Sequence, residues 1–151
     1  MSDRPSLQDL VEVQNYFDLP NPALVEKDWH VARVLAAIAA TDAAPFQLIF
    51  AGGTALARAH KLVRRMSEDV DFKIVLANGM PLSQSARQRR LSRLRDHITQ
   101  ALLAAGFRFD PTDPEQVRAQ DSSQYAIYHL ADDAVAGPVS PWRRAGGSNT
   151  P

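Results

Sequence analysis

Cysteine is absent from the 151-residue chain. Its absence excludes a disulfide framework and a metal site built on thiolates, and fits a reducing cytosol. Long apolar runs are missing too: no stretch approaches the roughly 18 residues of a membrane span. Met1-Ser-Asp-Arg-Pro5 opens the chain without the apolar core of a signal peptide. A soluble, cytoplasmic protein with no membrane partner is expected. Histidine is sparse and scattered, at positions 30, 60, 97 and 129, with no paired spacing for zinc. No Gly-x-Ser-x-Gly turn occurs, which disfavours a Ser-His-Asp hydrolase. Formal net charge is zero, which argues against a general nucleic-acid coat.

The charge is unevenly spread. Between Arg58 and Arg95 ten Lys or Arg face three acids, a surplus of seven. Such a stretch either steers a polyanion or is a solvated helix face. Hydrophobic residues make up 45% of the chain, ordinary for a globular protein, and the length suits one domain burying about two thirds of its unfolded surface. The patterning predicts a short amphipathic helix over 5–18, with Pro5 in its first turn and a stripe of Leu7, Leu10, Val11, Gln14 and Phe17. After Leu19-Pro-Asn-Pro22 a longer helix is expected over 23–40, turning Leu24, Trp29 or Val31, Val34, Leu35 and Ile38 inward. Phe46–Ala51 reads as a short buried strand, 69–75 as a second strand and 82–105 as a long helix with Leu91, Leu94, Ile98, Leu102 and Ala105 buried. Gly106 follows as a left-handed cap. Phe107–Phe109 is a brief strand, and Ser123–Leu130 alternates as a third. Periodicity is lost from Ala131. The expectation is an α+β protein with a small mixed sheet flanked by helices, a domain over 1–130 and a disordered tail over 131–151.

The chemistry concentrates in Phe50-Ala-Gly-Gly-Thr-Ala-Leu-Ala-Arg58 and Ser67-Glu-Asp-Val-Asp71. The apolar strand breaks at Gly52 and Gly53 and restarts at Thr54 as a helix with Leu56, Ala59 and Val63 on one face. Gly-Gly at a helix N-terminus is either a simple turn or a place where free N–H groups and about half a positive charge meet a phosphate. Asp69 and Asp71, two apart on a strand and roughly 6 to 7 Å from each other, are either a solvated face or a pair that shares one or two divalent cations. The bland alternative has them salt-bridging Arg64, Arg65 or Lys73 in a structural or interaction domain. Strand, Gly-Gly, helix, loop and Ser-x-Asp-x-Asp strand set turn and acids side by side if the two strands pair.

Gly52-Gly-Thr-Ala-Leu-Ala-Arg58 and Arg65-Met-Ser-Glu-Asp-Val-Asp71 resemble the signature of the AbiEii/AbiGii family of nucleotidyltransferase-like toxins, within the polymerase-beta-type nucleotidyltransferase superfamily. The resemblance is specific over residues 50–74, is supported by Val25-Glu-Lys-Asp-Trp29, and fades after residue 76. It implies a nucleotidyltransferase-like core and transfer of a nucleoside monophosphate from an NTP to a hydroxyl, an RNA and especially tRNA hydroxyl, within a toxin–antitoxin system with a cognate antitoxin. It implies that Asp69 and Asp71 are the catalytic, metal-holding acids for Mg²⁺ or Mn²⁺, and that Gly52, Gly53, Thr54 and Ser67 cradle phosphates. Arg58, standing where many members carry lysine, and Lys27 are implied phosphate partners. Family members are generally longer, with a third carboxylate and a helical C-terminal half. Asp132 and Asp133 are poor replacements for that acid, so the core reads as incomplete and the chain as a shortened member. The alternative is a catalytically incomplete fragment that binds nucleotide or antitoxin.

Overall fold

The computed structural model describes residues 4–52, 69–77, 81–120, 125–131 and 135–136. The chain divides into two compact units, Met1–Glu26 with Ala134–Pro151, and Lys27–Asp133.

In the first unit, helix α1 runs from Leu7 to Tyr16. Ser6 caps it: its Oγ accepts from Asp9 N at 3.2 Å, while the Asp9 carboxylate accepts from Ser6 N at 2.8 Å. This reciprocal box satisfies two donors that the helix geometry leaves without partners. It also sets the start after Pro5, which precedes the cap rather than occupying the first turn. Leu10 is buried and Val11 and Gln14 are half-buried, but Leu7 and Phe17 stand exposed. The buried stripe is narrower than its periodicity suggests because the helix stops at Tyr16, and Asp18 turns the chain at φ +51. Helix α2, Pro22–Ala39, belongs to this unit as far as Glu26 and to the second from Lys27, and opens with Asn21 Oδ1 accepting from Ala23 N at 2.8 Å. Proline at the first helical position loses no hydrogen bond there.

In the second unit, strands β1 (Phe46–Ala51) and β2 (Asp71–Leu76) pair antiparallel, with Phe46 opposite Leu76 and Ala51 opposite Asp71. Helix α3 spans Gln84–Ala104 behind a Ser83 cap. Its buried Leu91 and Leu94 join Phe46 in one apolar cluster, and Leu102 joins Ile38 of α2 and Phe107 in another. Leu48 and Ile98 pack against both clusters, so they form one continuous layer beneath β1. The arginines 87, 89, 90 and 93 of α3 are exposed, and Arg95 is half-buried.

The end of α3 is closed by Gly106 at φ +87. Gly106 N donates to Leu103 O at 3.0 Å and Phe107 N to Leu102 O at 3.1 Å. That pair of bonds is a Schellman cap, completed by the apolar contact of Phe107 with Leu102. Arg33 of α2 lies between the Trp29 and Phe107 rings, 4.6 and 5.0 Å from their centroids, and donates to the Ala105 carbonyl. A guanidinium is thus held at the negative end of the α3 dipole.

Beyond it, Arg108 bridges to Ala131, and β3 (Val117–Gln120) pairs antiparallel with β4 (Tyr125–Tyr128). Tyr128 ties this hairpin to α3: its hydroxyl lies 3.0 Å from Thr99 Oγ1 and 3.2 Å from Arg95 O. The fold is α+β, but among the described residues its strands form two separate antiparallel pairs and not one mixed sheet. The strand expected over 123–130 is shorter, and its partner β3 was not anticipated. No helix among the described residues is long and apolar enough to cross a membrane.

Candidate active site

The pairing of β1 with β2 sets Gly52 beside Asp71. Cross-strand partners point to the same face, so Gln47, Ile49 and Ala51 share one side of the ladder with Val75, Lys73 and Asp71. That side is open: Gln47, Lys73 and Asp71 are exposed, as are Ile49 at 46% and Val75 at 42%. The opposite side carries Phe46, Leu48 and Phe72 into the core. Phe46–Ala51, read as a buried strand, is therefore covered on one face only.

Gly52 follows β1 at φ +79, a backbone region that side chains rarely allow. A Cβ placed on it would land on Asp71 Oδ2 and within 3.0 Å of Asp71 Cγ. The carboxylate of Asp71 thus lies directly over the glycine turn, as the order of the motifs suggests. Asp69 is exposed but sits two residues before β2, because the ladder extends only as far as β1 stays extended and Gly52 bends away. The shared strand face expected for both acids holds for Asp71 alone. Asp71 and Lys73 form no ion pair, although they share a face of the same strand.

Lys27 is half-buried, early in α2 and next to Glu26. Gly53, Thr54, Arg58, Ser67 and the helix expected from Thr54 lie outside the described residues, as do Asp132 and Asp133. Among the described residues no group of three or more His, Asp or Glu is gathered in metal-binding geometry. The two acids offer hard oxygen donors, which is what Mg²⁺ or Mn²⁺ takes when substrate phosphates and water complete the shell. By donor chemistry alone the two carboxylates suit such an ion, with Asp71 at the glycine and Asp69 outside the ladder.

One acid escaped the sequence reading. Glu26, on α2, is only 2% exposed. Its spacing from buried Ala23, three residues earlier, was the available signal.

Residues 33–139 match the model of a family described as nucleotidyl transferase AbiEii toxin, type IV TA system. No curated protein and no solved structure matches the chain. A match over more than two thirds of the sequence, enclosing both the glycine turn and the two acids, defines the class as that of nucleotidyltransferase-like toxins. The chain belongs to the AbiEii family. The match reaches well past residue 76, where the resemblance read from motifs fades, and begins after Val25–Trp29.

Proposed function

We propose that the protein transfers a nucleoside monophosphate from an NTP to an RNA hydroxyl, with a tRNA end as the preferred acceptor, as the toxin of a toxin–antitoxin pair in the cytoplasm. The observation that carries this reading is the Asp71 carboxylate lying over Gly52, within the segment that the family model matches. Asp69 and Asp71 would hold Mg²⁺ or Mn²⁺, and the ion supplies charge neutralisation to the triphosphate when bound. Gly52 and Gly53, which carry no Cβ, would offer backbone N–H groups to phosphate oxygens. Thr54 and Ser67 add hydroxyl donors, and Arg58 and Lys27 offset phosphate charge.

In the reaction the acceptor hydroxyl oxygen forms a bond to the α-phosphorus. The bond from that phosphorus to the α,β-bridging oxygen breaks, pyrophosphate leaves, and the hydroxyl proton passes to solvent. Asp71 stands exposed on the same ladder face as Lys73 and Ile49, which supports a role in contact with substrate.

The test is label transfer from each α-³²P NTP to total tRNA with Mg²⁺ or Mn²⁺, comparing the unmodified protein with the Asp69→Ala/Asp71→Ala variant. Labelling by the unmodified protein alone supports the proposal. No labelling by either, with nucleotide binding intact, replaces it with a nucleotide- or antitoxin-binding role.

A further inference from the structure

The geometry points to a latch: the Glu26 carboxylate fastens the segment at Val135 and Ala136 onto the start of α2, with Arg4 as its second anchor. Val135 N donates to Glu26 Oε1 at 2.7 Å and Ala136 N to Oε2 at 2.8 Å. Arg4 Nη2 donates to Oε1 at 3.0 Å. Two consecutive amides each take one oxygen of the same carboxylate, the arrangement by which successive backbone N–H groups grip an anion. Bonds of this length to an ionised acceptor are the strong, charge-assisted kind.

The alternatives for this acid are poor. A carboxylate 2% exposed and without donors would be severely penalised. Here three donors compensate it, two on Oε1 and one on Oε2. The charged member of Val25-Glu-Lys-Asp-Trp29 that is buried therefore acts on the chain itself. It joins residues 22, 109 and 110 positions away. All three donors lie in the same compact unit as Glu26, so the latch closes that unit from within.

The latch does not depend on nucleotidyl transfer. Val135 and Ala136 sit in a stretch whose sequence has no periodicity, and Glu26 is the acceptor of both their amides among the described residues. The latch predicts that they are protected from solvent, and that the protection depends on the charge at position 26.

The experiment is amide hydrogen exchange of the intact protein, followed residue by residue by NMR, at neutral pH. Val135 and Ala136 are expected to exchange on the order of tenfold to a hundredfold slower than in a free peptide. Glu26→Gln is expected to remove most of that protection while the Leu102 amide stays protected. Arg4→Ala, which leaves both amide bonds in place, is expected to accelerate the two amides only severalfold. Free-peptide exchange of Val135 and Ala136 in the unmodified protein overturns the latch, as does unchanged protection in Glu26→Gln. Should that variant fail to fold, the unmodified protein and Arg4→Ala decide the matter.

Discussion

Asp71 holds its carboxylate in the space that a side chain at Gly52 would occupy. Two constraints meet at that glycine, since its φ of +79 is also a conformation that other residues adopt with strain. One local change therefore disturbs backbone and acid together.

Gly52→Ala is expected to cost about 1–3 kcal/mol of stability and to push Asp71 off the turn. Denaturant unfolding measures the first effect. Loss of Mn²⁺-dependent nucleotide binding, with the fold retained by circular dichroism, measures the second. Wild-type stability in this variant would mean that the turn relaxes without cost.

Arg33→Ala removes the guanidinium between Trp29 and Phe107 and leaves the Ala105 carbonyl without that donor. A destabilisation of about 1–2 kcal/mol is expected. Arg33→Lys should recover only part of it, because an ammonium lacks the planar face that stacks between rings. Thermal unfolding of the two variants side by side gives the order.

Tyr128→Phe takes away the hydroxyl that meets Thr99 and the Arg95 carbonyl, at about 1 kcal/mol. The same hydroxyl predicts an alkaline effect. Burial pushes its ionisation above the ordinary value of 10.0, and the Thr99 hydrogen bond and the Arg95 charge only partly offset that. A group raised in the folded state contributes stability in full below its unfolded value and loses it as pH rises through the folded one. The phenylalanine variant should therefore lose less stability above pH 10 than the unmodified protein, as read by unfolding at a series of alkaline pH values.

Glu26 works in the opposite direction. Burial alone would raise its carboxyl, but the amides of Ala136 and Val135 and the Arg4 guanidinium outweigh burial and hold it below the ordinary 4.5. Its contribution is present above that value and is lost as pH falls through the lower, folded one. Glu26→Gln should be less stable at neutral pH and show a flatter acid limb, measured by urea unfolding between neutral pH and pH 3.

The elements with strong periodicity or punctuation were legible in the sequence. β1 runs over the residues its apolar run marks, α3 departs from expectation by two residues at its start and one at its end, and Gly106 caps it. β3 was hidden because Val117-Arg-Ala-Gln120 contains a single β-branched residue and is held by backbone pairing to β4. The meeting of Gly52 with Asp71 followed from motif order once the strands paired. The displacement of Asp69 did not, since it depends on where the ladder stops. The role of Glu26 was illegible for a different reason: two of its partners are backbone amides, which every residue but proline possesses, so no side-chain pattern announces them.

The distance along the chain between Glu26 and its two amide partners also orders events during synthesis. Loop closure over about 110 residues is entropically costly and comes late. While the chain grows from its N-terminus, α1 and the first turns of α2 emerge long before residues 135 and 136 exist. Until then Glu26 keeps its water and α2 begins with an unburied acid on its inner side. Final seating of that end of the helix therefore waits for the arrival of Val135 and Ala136, and a nascent chain stalled ahead of them lacks both amide donors to Glu26.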